Sequence, residues 1–173
     1  EGLRTIFIQN DGQVQQRVQP AEPMPLVSVD LRPLERAVRD RELQRQMTAA
    51  ARRPFDLARG PLLRATLFRL EDEQHVLLLA MHHIVADGWS LGVLVREVAL
   101  VYEARRRGQA SPLAELGIQY PDFAAWQQRF LERDELSEQL NWWREQLAEL
   151  PEPLNLPTDY PRPRAPQFEG GLV

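Results

Sequence analysis

The sequence predicts an α/β fold of the α+β kind, with antiparallel hairpins packed against helices, on three observations. Two pairs of short strand-like runs are each joined by a polar turn, one carrying Asp11-Gly12 and the other spanning Glu71 to Gln74. Four longer stretches favour helix, most of them repeating apolar residues three and four apart. With 173 residues, 43% of them hydrophobic, the chain can bury one sizeable core.

Thr5 to Gln9 and Gln13 to Val18 form the first hairpin, split by Asn10, Asp11 and Gly12. Pro20, Pro23 and Pro25 break the pattern, and Val27 to Leu31 reads as a short strand. Pro33 to Arg53 favours helix, with Leu34, Val38, Met47 and Ala51 expected inward. Leu62 to Leu70 and His75 to Met81 form the second hairpin. Side chains two apart share a face of a strand, so His75, Leu77, Leu79, Met81 and His83 fall on one side and Val76, Leu78, Ala80 and His82 on the other. Both faces are apolar, which predicts an interior strand covered on both sides. His82 and His83 should therefore point opposite ways.

A helix is expected from about Gly88 to Arg107, with Leu91, Leu94, Val95, Val98, Val101 and Tyr102 as its apolar face. Arg105, Arg106 and Arg107 suit its negative end, and Gly108 suits the position just past it. Tyr120 to Leu131 and Glu135 to Leu150 read as two more helices, anchored by Phe123, Trp126, Phe130, Leu140, Trp143 and Leu147. The aromatic set Tyr120, Phe123, Trp126, Trp142 and Trp143 reads as core rather than as a ligand platform. Six of the 14 prolines then fall between Pro151 and Pro166, which predicts an extended connector over residues 151–173.

Composition excludes several functions. A net charge of −4 gives no general attraction to nucleic acid or to anionic membranes. No stretch approaches the roughly 20 apolar residues of a spanning helix, and no signal-peptide pattern opens the chain, so a cytoplasmic location is the expectation. Without cysteine there are no disulfides, thiol nucleophiles or sulfur-based zinc sites. All 21 basic residues are arginine, so no lysine can form a Schiff base.

The run Met81 to Gly88 places two imidazoles and a carboxylate at a strand-to-helix junction, where scaffolds commonly hold reactive groups. An imidazole titrates near neutrality and can take a proton from an attacking amine or hydroxyl, which favours direct acyl transfer. Each residue also has a plainer reading. His82 and His83 can be hydrogen-bonded core residues. Metal ligation is disfavoured, because adjacent strand histidines diverge and no sulfur ligand exists. Asp87 can cap the following helix or pair with a buried arginine. Gly88 can relieve a tight turn or expose an amide to a carbonyl. Trp89 and Ser90 can line a cavity or simply pack.

The segment HHIVADG, His82 to Gly88, fits HHxxxDG, the signature of nonribosomal peptide synthetase condensation domains. Glu1-Gly2-Leu3-Arg4-Thr5-Ile6-Phe7 resembles that family's ExLRTxF segment, and Tyr120-Pro121-Asp122-Phe123-Ala124-Ala125-Trp126 resembles its YxDxAxW segment. Pro54-Phe55-Asp56-Leu57 with Gly60-Pro61-Leu62-Leu63-Arg64 resembles the stretch leading into its central hairpin.

The resemblance implies a chloramphenicol acetyltransferase-like half-domain, a mixed and mostly antiparallel sheet packed with helices. Residues 1–150 would be the first subdomain, incomplete at its start, and 151–173 the passage to a missing C-terminal half. Taken alone, such a portion would lack a complete active site. The resemblance further implies amide formation between donor and acceptor thioesters carried by 4′-phosphopantetheine on peptidyl carrier domains beside an adenylation domain, with no cofactor bound directly and no metal. His83 would be catalytic, as general base or as positioning group. His82 would support the loop, Arg4 would pair with Asp87, Gly88 would let the backbone approach the reactants, and Trp89 and Ser90 would line the tunnel. An epimerization domain, a coenzyme A-dependent HxxxD acyltransferase and a carrier-protein docking module are the competing readings.

Overall fold

The computed structural model describes residues 1–150 and 157–161, apart from the side chains of 134 and 135. The chain divides into two compact units, Glu1–Gln127 and Gln128–Val173. Most of the expected connector lies outside the described residues.

The first unit opens with a 3-10 turn, Gly2–Arg4, and the hairpin β1 (Thr5–Asn10) and β2 (Gln13–Val18), paired from Thr5 with Val18 to Asn10 with Gln13. Asp11 and Gly12 take φ of 48° and 78°, the left-handed pair that an Asp-Gly turn supplies cheaply and that matches the twist of the strands. β3 (Leu26–Asp30), β4 (Leu63–Arg69) and β5 (His75–Met81) form a separate sheet in the order β3-β4-β5. β3 runs parallel to β4, and β4 antiparallel to β5. Between β3 and β4 the chain crosses over through α1 (Arg36–Arg52), the long connection that a parallel pair requires.

β4 is thus the central strand, with Leu63, Ala65 and Phe68 buried. The expectation that β5 is interior is corrected: among the described residues it pairs only with β4, and Leu77 is 47% exposed. Two apolar faces made it look central, but which strand gains a second neighbour was decided by the parallel docking of β3, a distant pairing that no local pattern records. Leu31, Phe68 and Leu70 form the core, with Val29, Leu34, Leu43, Met47, Val76 and Leu78 packed against it. α1 therefore faces inward through Leu43 and Met47, four residues apart on one face, whereas Val38 and Ala51 are exposed. Arg39, on that same side, donates to the Leu70 carbonyl at 2.8 Å and ties the helix to the end of β4.

α2 (Gly88–Arg106) ends as its sequence requires. Gly108 has φ of 70° and its amide reaches the Arg105 carbonyl at 3.0 Å. Its covered side runs through Ser90, Val93, Leu94, Glu97, Val101 and Ala104, while Leu91, Val95, Val98 and Tyr102 of the expected face are exposed. Both stripes have helical spacing, so periodicity alone did not choose between them. α3 (Tyr120–Leu131) crosses the boundary of the units, and α4 (Asp134–Gln146) lies in the second. The aromatic set expected in the core is exposed instead. Within α3, Tyr120 meets Phe123 and Phe123 meets Trp126 at ring separations of 5.9 and 5.6 Å, and within α4 Trp142 meets Trp143 at 4.8 Å. Of the expected helical anchors Phe130 alone is half-buried, and Leu140, Trp143 and Leu147 are exposed. No helix among the described residues is long and apolar enough to cross a membrane.

Candidate active site

β5 ends at Met81, and the next four residues fold back as a turn before α2 begins at Gly88. His82 holds this turn together. Its amide donates to the Leu62 carbonyl at 3.0 Å, which continues the β4–β5 ladder by one rung. Its carbonyl accepts the Val85 amide at 3.1 Å, and its ring Nδ1 accepts the Ile84 amide at 3.0 Å. A ring that accepts at Nδ1 carries its proton on Nε2, so these contacts select one tautomer. The His82 ring is half-buried and stands perpendicular to the Phe55 ring at a centroid distance of 5.9 Å.

His83 goes the other way. It is exposed and lines a cavity of about 410 Å³ together with Gly2, Thr5, Phe7, Asp87, Trp89 and Tyr120, among others. His82 is absent from that lining. The divergence expected from strand parity is present, although a turn rather than a continuing strand produces it.

Asp87 is the cap of α2. Its Oδ1 accepts the Ser90 amide at 2.8 Å and the Ser90 hydroxyl at 2.7 Å, and Ser90 Oγ accepts the Asp87 amide at 2.7 Å. This reciprocal box satisfies amides that a helix start would leave unpaired. The bonds from the Ser90 amide and then its hydroxyl hold the Asp87 carboxyl below its ordinary value. The expected Arg4–Asp87 ion pair does not occur among the described residues. Arg4 instead donates to the Gln19 carbonyl and lies 3.6 Å from Glu1. The physical reason is local competition: Ser90, three residues from Asp87, fills the carboxylate without any distant arginine.

Gly88 has ordinary φ, and a Cβ there would meet nothing within 4 Å, so internal crowding does not demand the glycine. Trp89 is 85% exposed and lines both the His83 cavity and a larger one of about 1060 Å³. The two cavities share Gly2, Thr5, Val85, Ala86, Ser90 and Tyr120 with it. Ser90 thus lines as well as caps. No cluster of three or more potential metal ligands exists among the described residues.

Sequence reasoning assigned no role to the loop of residues 54–61. The Phe7 amide donates to the Leu57 carbonyl at 2.8 Å, which fastens this loop to the free edge of β1. Asp56 Oδ1 accepts the Ala58 and Arg59 amides at 3.0 and 3.1 Å. Gly60 has φ of 64°, and a Cβ there would come within 3.2 Å of Ile6 Cγ2. The signal available in the sequence was the motif itself, Pro54-Phe55-Asp56-Leu57 before Gly60-Pro61.

Over residues 1–173 the chain matches the family model of the Condensation domain. The chain belongs to the condensation-domain family. It is 48% identical over 170 residues to a linear gramicidin synthase of Brevibacillus parabrevis, a match covering 98% of this chain and 3% of that protein. Among solved structures, the X-domain from teicoplanin biosynthesis is similar with a TM-score of 0.78 and 35% identity, over 94% of this chain and 36% of that one. The epimerization domain from the third module of tyrocidine synthetase B gives 0.72 and 30%, over 93% and 36%. This condensation-domain chain therefore spans little of the curated relative and about a third of the solved domains, and the chloramphenicol acetyltransferase-like fold expected from its motifs is the one that these neighbours share.

Proposed function

We propose that this chain supplies the His83-bearing part of a condensation domain that forms an amide bond between two thioester-bound substrates, each carried on the 4′-phosphopantetheine arm of a carrier domain. The single observation that carries this reading is the exposure of His83 in its cavity at the foot of α2, with the neighbouring His82 turned away into the loop. The acceptor amine attacks the donor carbonyl carbon. A C–N bond forms, the C–S bond breaks, and the thiolate leaves on the donor arm. The amine must lose a proton, and His83 Nε2 or Nδ1 receives it and returns it to the departing sulfur. If His83 does not itself take the proton, the same ring orients the amine and stabilises the positive charge that develops on its nitrogen, and that proton passes to the departing sulfur through solvent.

Asp87 has no proton to exchange in this scheme, since the Ser90 bonds keep it ionised and engaged. It fixes the start of α2 and so the cavity wall formed by Trp89. Gly88 leaves open space in front of the helix start, where an approaching carbonyl oxygen would meet the positive end of the helix. The remainder of the parent domain would close the tunnel, and an adenylation domain would load the acceptor carrier.

The test is His83→Ala in the intact parent synthetase, with both carriers loaded. Amide formation should fall by about 10²- to 10⁴-fold while carrier binding is retained. Undiminished turnover would remove His83 from the chemistry. A docking role is the second reading, favoured by a specific neighbour: the teicoplanin X-domain has been solved in complex with OxyB, at 33% identity and a TM-score of 0.77 to this chain. Under that reading the intact parent would bind its partner without forming amide, with or without His83. Inversion at the donor α-carbon, or amide formation from coenzyme A thioesters, would instead identify the epimerase or the free acyltransferase.

A further inference from the structure

The geometry points to Phe55 and Arg64 as positioning residues that brace His82, and through it the turn that presents His83. The inference rests on the reading of His83 given above, and it starts from register. Arg64 on β4 lies opposite Ala80 on β5, so its side chain shares a face with Ala80 and, two residues on, with His82. Phe55 arrives on that face from the loop of residues 54–61. The Arg64 guanidinium carbon sits 3.8 Å from the Phe55 ring centroid, and one Nη donates to the Arg53 carbonyl. The Phe55 ring then stands perpendicular to the His82 imidazole.

This stack is specific in its chemistry. Arg64 forms no ion pair among the described residues, and its buried Nε has no hydrogen-bond partner there, so the ring face and the Arg53 carbonyl are what hold the guanidinium. Burial, and then the charge of Arg53, pull its pKa down, which fits a half-buried cation without a carboxylate beside it. A delocalised planar cation can stack on an aromatic face in this way, whereas an ammonium is a strongly hydrated point charge.

His82 is the link to function. Its ring must keep one orientation for Nδ1 to hold the Ile84 amide, and that bond together with Val85 to the His82 carbonyl shapes the turn around His83. The Phe55 ring, perpendicular to the His82 imidazole at 5.9 Å, limits how far that imidazole can rotate away from its orientation. A displaced turn misplaces His83 relative to both tethered reactants, and errors of about 1 Å cost up to about a hundredfold in rate.

The experiment uses the intact parent synthetase carrying Phe55→Leu, Phe55→Tyr, His82→Ala, and Phe55→Leu with His82→Ala. Two readouts are taken: amide-forming kinetics with loaded carriers, and hydrogen exchange of the segment containing Ile84 and Val85. Phe55→Leu should lower kcat by about tenfold to a hundredfold with KM for the carrier-bound substrates unchanged, and should speed exchange of that segment. Phe55→Tyr, which keeps an aromatic face, should restore both. In the His82→Ala background, Phe55→Leu should add nothing further, because both act through one ring. Unaltered exchange at Ile84 and Val85 in Phe55→Leu would overturn the brace whatever the activity, as would a full additive loss in the double variant. Turnover that survives His83→Ala would defeat the catalytic reading alone, and the exchange readout would still decide the brace.

Discussion

The β1–β2 hairpin turns on Asp11 and Gly12, both with positive φ, and buries only Thr5 and Ile6 at its open end, whereas the β4–β5 hairpin closes over Glu71–Gln74 without positive φ and buries Leu63, Ala65 and Phe68. One hairpin is specified by its turn and the other by what covers it. The site depends on the second kind. Because β5 is registered on β4 from Arg69 with His75 to Leu63 with Met81, the next rung falls on His82 and Leu62, and the turn that carries His83 inherits its place from the core.

The largest expected break in this comparison is Phe68→Ala. Phe68 is 1% exposed and packs with Leu31 and Leu70 under α1, so its truncation should cost about 3–5 kcal/mol by denaturant midpoint. A loss below about 1 kcal/mol would mean that the core collapses into the space, and that burial does not specify the second hairpin. Gly12→Ala probes the first hairpin. With φ of 78° and nothing within 4 Å of a new Cβ, the substitution carries a conformational penalty alone, about 1–2 kcal/mol. Gly12→Asn should be milder, since asparagine accepts the left-handed region. Equal effects of alanine and asparagine would show that something other than φ sets the turn.

What could be read from the sequence follows the same division. Asp11-Gly12, the Gly108 stop and the Asp87 start are decided within a few residues, and each element bounded by them falls within one or two residues of its expected ends. The opposed directions of His82 and His83 were also local. The edge placement of β5, the inward face of α2 and the inward use of Leu43 were not, because each depends on a partner far along the chain. The Arg4–Asp87 pair failed differently. A distant pairing was expected where Asp87 and Ser90 already offered a short-range box, and that Asp-x-x-Ser spacing was legible. The brace of Phe55 and Arg64 needed the β4–β5 register before their motif could be given a role.

The smallest effect separates the two hairpins by acid. No ion pair among the described residues lies within β1–β2, but the turn of the second hairpin is tied to β3 through Arg32, which bonds Asp30 and reaches Asp72 at 2.6 Å. Arg69 joins the same Asp72 carboxylate at 3.2 Å. The side-chain and then the backbone hydrogen bonds from Arg32 hold the Asp30 carboxyl at about 2, down from 3.8. A carboxyl depressed on folding contributes stability above its unfolded pKa and loses it as pH falls through the folded one, so the window runs from about pH 4 down to about pH 2. Both carboxylates face solvent, which keeps the contribution small and sensitive to salt. Through this window, exchange of the Leu31 amide, which donates to the Arg69 carbonyl at 2.9 Å, should quicken before that of the β1–β2 ladder. In Asp30→Asn the negative charge is removed in advance, so Leu31 should exchange at the quickened rate already at pH 5 and show no further step from this position on acidification. Parallel acid profiles for the parent chain and Asp30→Asn would mean that the Arg32 cluster decorates the end of β3 without holding it to the hairpin.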